Sequence, residues 1–181
     1  MVYPQLALAL VKIIVEVVLL TLTVLVALKI VGLFTKSFDE WEEIHKGNVS
    51  VAIYMAGMVI SVGFIVQPGI MYFLNSLSLD LVGLQGAVVL AAIANGFVQL
   101  IVAFVIAMIT QFLALNLLAH VHDLMAPYDE WEEMKKGNVA AGIIMGVILA
   151  AIGILLSYAM NNILDLIRFG IQPEILHVII I

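Results

Sequence analysis

Glu42 and His45 stand three residues apart, a carboxylate–imidazole spacing that resembles the one used for metal ligation in di-iron helical bundles. The same stretch recurs ninety positions later with Lys135 where the second imidazole would be needed, so a symmetric metal site fails. His120, His122 and Asp123 form another acid–imidazole group, but histidines two apart on a helix point to different faces, and boundary residues are the simpler account. Lys12 and Glu16 are four apart in an apolar run and form a candidate intramembrane charge pair, functional by default in such a setting. The bland alternative is that Lys12 snorkels to the membrane surface, and Val102 and Ile106 show that the pair is not repeated. Cysteine is absent, and the chain has no Gly-rich phosphate loop, nucleophile motif or zincin pattern. The expectation is a non-enzymatic chain with no metal and no cofactor.

What does recur is "DEWEEIHKGNV" from Asp39 and "DEWEEMKKGNV" from Asp129, identical at nine of eleven positions and therefore an internal repeat. Asp39 with Glu42, and Asp129 with Glu132, read as capping boxes opening a short helix. Glu42–Lys46 and Glu132–Lys136 are acid-first i,i+4 pairs. Trp41 and Trp131, the two tryptophans of the chain, are expected as interfacial anchors. Gly47-Asn48 and Gly137-Asn138 then permit a bend and cap the next helix. A capped helical elbow accounts for most of this. Glu43, Lys46 and Asn48, with Glu133, Lys136 and Asn138, recur more strictly than an elbow requires, and are candidates for a cytoplasmic mouth or partner contact.

The elements that must position these residues are apolar. The 181-residue chain is 65% hydrophobic and 11% charged, where a soluble domain carries about 25% charged residues. Eight of its thirteen acids lie in the two motifs, so the net charge of −6 describes two loops, and no basic cluster offers a nucleic-acid surface. Apolar blocks cover 6–34, 49–66, 81–119 and 139–156, each enough for a membrane span. The start of the chain lacks a basic n-region, so the first block is read as retained rather than as a cleaved signal. The first block, as a helix of about 43 Å, must tilt or project beyond a hydrocarbon core of roughly 30 Å. Gln67-Pro68-Gly69 reads as a turn closing the second block, and Asn95-Gly96 as a possible break in the third.

The expected fold is an all-α, polytopic transmembrane bundle of two tandem two-span repeats. Repeat 1 covers 1–69, a connecting segment with a short interfacial helix 70–95, repeat 2 96–160, and an interfacial tail 161–181. A rival with a fifth span carrying Asp80 would put the motifs on opposite sides as an inverted repeat. Five of the seven Lys and Arg residues lie on the motif side, which predicts cytoplasmic motifs and outside termini in a multi-pass cell-membrane protein. Ala52, Ala56 and Gly63 align with Gly142, Gly146 and Gly153, small positions suited to close helix packing in the fold's centre or between copies. Asn95, Gln99 and Thr110 share a face with Ala103 and Ala107, either as a hydrated stripe or as interhelical hydrogen bonding.

The acidic stretch with Lys-Gly-Asn, present twice and followed each time by a span rich in small residues, resembles the membrane family catalogued as domain of unknown function 350. The resemblance covers roughly 6–66 and 96–156, and the longer connection 70–95 departs from it. It implies a four-span inner-membrane protein and no reaction. The leading expectation is an oligomeric scaffold or accessory subunit, partnered by the lipid bilayer, by itself or by other membrane subunits. The alternatives are an ion-conducting pore with the acidic motifs at its mouth, and an intramembrane redox or enzyme subunit.

Overall fold

In lipid every backbone N–H and C=O must be satisfied within the protein, and a helix does this within its own segment, so long apolar blocks become helices. The computed structural model describes residues 2–34, 39–77, 86–125 and 129–169. They form α1 (Val2–Phe34), α2 (Glu40–His45), α3 (Val49–Ser76), α4 (Gly86–Met125), α5 (Glu130–Lys135) and α6 (Val139–Phe169). Four of these helices are long and apolar enough to cross a membrane, with candidate spans at Gln5–Lys29, Val49–Ser76, Gly86–Leu117 and Val139–Ile167. The protein is all-α and multi-pass. At 40 residues α4 is about 60 Å long, twice the hydrocarbon thickness, so it must project or tilt.

α3 is the central helix and packs on α6, α4 and α1. Gly142 of α6 lies against Ser50 of α3, Gly146 against Ile53 and Gly57, and Gly153 against Ser61. Contact positions rise together along both helices, so α3 and α6 run parallel. A fifth span, by inverting the second unit, would make them antiparallel. Ser76 and Gly86 are also too close in sequence for a further crossing between α3 and α4. The approach is backbone to backbone: a Cβ on Gly146 would stand 2.8 Å from the Ile53 carbonyl oxygen, and one on Gly153 would overlap Ser61. Without a hydrophobic driving force inside lipid, this close packing is what holds membrane helices together.

α4 crosses α3 in the opposite sense. Gly69 meets Ala103 and the Gln99 carbonyl, while Gly96 meets Ser76 and Phe73. These contacts correct two expectations. Gln67-Pro68-Gly69 is not a turn, because α3 continues through it to Ser76 with Pro68 and Gly69 buried. Neighbouring helices make a membrane-helix proline tolerable, and the missing side chain of Gly69 gives Ala103 its seat. Asn95-Gly96 does not break α4, since Gly96 lets Ser76 and Phe73 approach.

The segment 70–95 is thus divided. Ile70 through Ser76 extends α3 and Gly86 through Asn95 opens α4, where a short interfacial helix was expected; 78–85 lie outside the described residues. α6 likewise runs on to Phe169, past residue 160 where the second repeat was expected to end and an interfacial tail to begin. Two of the polar side chains there have partners: the Asn161 amide donates to the Ser157 carbonyl of its own helix at 3.0 Å, and the Tyr72 hydroxyl donates to Asp165. The last part of the expected tail, 170–181, lies outside the described residues.

Candidate functional site: the paired elbows

Ten residues encode each elbow. Asp39 is extended, and its Oδ1 accepts from the Glu42 N–H at 3.1 Å, starting α2. Asp129 does the same for α5, accepting from Trp131 at 2.8 Å and Glu132 at 3.4 Å. Gly47 and Gly137 take φ of +84° and +86°, the left-handed conformation that ends a helix without a Cβ penalty. The Asn48 N–H then returns to the Glu43 carbonyl at 3.0 Å and the Gly47 N–H to the Ile44 carbonyl at 2.9 Å, a Schellman closure repeated by Asn138 and Gly137. The Asn side chains start the next spans, accepting from Val51 at 3.3 Å and Ala140 at 3.1 Å.

The strictly recurring charges close this structure on itself. Glu43 accepts from Lys46 and from the Asn48 amide, each at 3.1 Å, and Glu133 accepts from Lys136 at 3.1 Å and Asn138 at 3.0 Å. The Asn48 amide and then the Lys46 ammonium hold the Glu43 carboxyl below its usual pKa, and Asn138 and Lys136 do so for Glu133. Lys46 also pairs with Glu42 at 2.9 Å, and Lys136 with Glu132 at 3.6 Å. Each lysine is correspondingly held above its ordinary pKa by these carboxylates.

The two elbows touch. The Asn48 amide lies 2.9 Å from the Met134 carbonyl and 3.2 Å from that of Lys135, on the last turn of α5. The Ser50 hydroxyl donates to the Asn138 carbonyl at 2.6 Å, and Tyr54 meets Trp131 edge to face at 5.4 Å. Both acidic motifs therefore sit at one end of the bundle, in contact.

The chain belongs to the family described as Domain of Unknown Function (DUF350). The family model matches twice, over residues 5–101 and 92–181. No curated protein and no solved structure matches the chain.

Other expected site residues fall unevenly across the two DUF350 units. Gly142, Gly146 and Gly153 are buried in the α3–α6 seam, whereas Ala56 is exposed, Ala52 and Gly63 are half-exposed, and Gly63 faces open space. Of the two anchors, Trp41 is 55% exposed while Trp131 packs on Tyr54. Lys12 and Glu16 are both half-buried on α1, and among the described residues the ion pairs within 4 Å all lie in the elbows. No group of three or more metal-ligating residues occurs among the described residues; the side chains of His120, His122 and Asp123 lie outside them.

In α4 the Gln99 amide reaches Asn95 at 3.3 Å, while Thr110 bonds back to the Ile106 carbonyl at 2.8 Å and crosses no helix boundary. The crossing is made by Gln111, fully buried and donating to the Met58 carbonyl at 3.4 Å. Continuing the spacing of Gln99, Ala103 and Ala107 by one turn would have found it. Glu40 and Glu130 were also missed. They are buried in the first turns of α2 and α5, and desolvation pushes the Glu40 carboxyl up. Their signal was position alone, one residue after the cap and before the anchoring tryptophan.

Proposed function

We propose that this DUF350 protein is a non-enzymatic membrane scaffold or accessory subunit whose paired elbows form a cytoplasmic platform for partners or further copies. The observation that carries this reading is that the recurring charges satisfy one another. Glu43 and Glu133 are each occupied by the lysine and asparagine of their own motif, as parts of a rigid elbow would be. The backbone contact of α3 with α6 points the same way, because it fills the centre of the chain. The cytoplasmic side rests on the excess of lysine around the motifs. Because the chain has no cysteine, single cysteines at His45, Lys135 and Ser76 test it directly. The first two should label from the cytoplasmic side and the third from outside.

A second reading, an ion-conducting pore, is favoured by the buried Gln99 and Gln111, whose side-chain carbonyl oxygens have no protein partner. Folded protein in liposomes decides between them. No cation flux above lipid background under any gradient or voltage is the result expected of a scaffold. Flux that falls when Glu43→Gln and Glu133→Gln are combined would overturn it, because rings of carboxylates concentrate cations at a pore mouth.

A further inference from the structure

The seam between the two units is not self-complementary. Unit 1 offers Ser50, Ile53, Gly57 and Ser61 of α3, and unit 2 offers Gly142, Gly146 and Gly153 of α6. The counterparts of the first set, ninety residues on, are Ala140, Ile143, Val147 and Ala151, and all four are exposed. The counterparts of the second set are Ala52, Ala56 and Gly63, the half-open face already described. A two-fold seam would bury the same patch on both units. This one buries opposite patches, leaving a used face and an unused face on each unit, and such a heterologous contact repeats until it closes a ring or runs on.

Three further pairs obey the same rule. Asn48 bonds the last turn of α5; its counterpart Asn138 is exposed, and among the described residues no asparagine makes the equivalent bond to the last turn of α2 at Ile44 and His45. Tyr54 packs on Trp131, and the corresponding Ile144 and Trp41 are 54% and 55% exposed. Tyr72 bonds Asp165 at the far end, and the corresponding positions are Asn162 and Asn75, both exposed and able to bond each other. The face of α4 buried on α3, Gln99, Ala103 and Ala107, corresponds on α1 to Ala9, Ile13 and Val17, all exposed.

We propose that the protein associates with itself head to tail, α6 of one copy seating on α3 and α1 of the next, so that the contact between its two halves is repeated between chains. The proposal deepens the scaffold reading by naming the partner as a second copy. Acyl chains cover apolar surface equally well but offer nothing to Asn75 and Asn162, whereas a second copy pairs them. The seam between copies is wider than the internal one, since Val147 stands where Gly57 admits the backbone of Gly146, and Ala140 lacks the hydroxyl that Ser50 uses.

Cysteine cross-linking in liposomes tests the arrangement. Ile53 against Gly146 is the internal pair, so Ile143 against Ala56 of the next copy is its repeat. A chain carrying both Ala56→Cys and Ile143→Cys should give an oxidative ladder of dimers, trimers and higher species. A mixture of the two single variants should stop at dimers, and neither alone should cross-link. Unmodified protein in lipid nanodiscs, weighed by mass spectrometry, should show multiple copies. Monomers in the nanodisc, or dimers from a single cysteine with no ladder from the double variant, would overturn the head-to-tail contact. Monomers without ion flux would leave the scaffold reading standing, while a ladder together with cation flux would overturn the scaffold and keep the contact.

Discussion

The two elbows are near-copies in sequence and unequal in circumstance. Asn48 and Asn138 each cap a span and hold a glutamate, but Asn48 also grips the neighbouring elbow while Asn138 is exposed. Trp41 is exposed, whereas Trp131 is half-buried against Tyr54. The backbone closures and the glutamate clasps agree to about a tenth of an ångström, so the difference in surroundings comes from where each unit sits. A repeated motif therefore specifies its own shape twice, while its environment depends on which face the other copy covers.

The strongest way to break the comparison is at the seam. Gly146→Leu drives a branched side chain into the Ile53 and Gly57 backbone, and overpacking of this kind costs about 1–3 kcal/mol or more. Ala56→Leu, at the matching exposed position, should leave the thermal stability of the single chain in detergent nearly unchanged. Equal losses from the two substitutions would mean that the units are equivalent after all.

Next come the asparagines. Asn138→Ala removes a helix cap, worth about 1 kcal/mol. Asn48→Ala removes a cap together with the bond to α5, so it should cost about 1 kcal/mol more by denaturation. An equal cost would show the bridge between elbows to be without consequence.

Acid separates the elbow carboxylates by sign. Glu43 and Glu133 have folded pKa values below the reference 4.5, so their contribution is present above that pH and is lost as pH falls through the folded values. Glu40 is raised, so its burial opposes folding above 4.5 and is relieved as the group protonates. Glu40→Gln should therefore stabilise at neutral pH, and the gain should shrink in acid. Glu43→Gln should destabilise at neutral pH, and the loss should shrink in acid. Melting curves across pH 3 to 7, roughly the carboxylate titration range, check both. The smallest effect is expected from Glu42→Gln and Glu132→Gln, whose lysine pairs are solvent-exposed and should leave the melting temperature at the limit of detection.

Much of the elbow was legible because its interactions are local. Asp39 to Glu42, Gly47 to Ile44 and Asn48 to Val51 span three residues each, and residue type with spacing specifies them. The capping box was only half realised: Asp39 caps as expected, but the Glu42 carboxylate pairs with Lys46. The punctuation inside the spans misled for the opposite reason. Pro68, Gly69 and Gly96 are breakers when water surrounds them, and here the neighbouring helix supplies the contact that keeps α3 and α4 continuous. Asn161 and Asp165 likewise do not end α6, because Ser157 and Tyr72 satisfy them.

By itself the sequence determined an all-α membrane chain, four helices long enough to span and two capped elbows of one design, since apolar length and short-range hydrogen bonding suffice for each. Which small residues meet was decided only in three dimensions. Ala52, Ala56 and Gly63 are as fit for close packing as Gly142, Gly146 and Gly153, and nothing local distinguishes them. The rotation of α3 turned its own set outward, and that of α6 turned its set into the seam, because a helix can present only one face to a given neighbour.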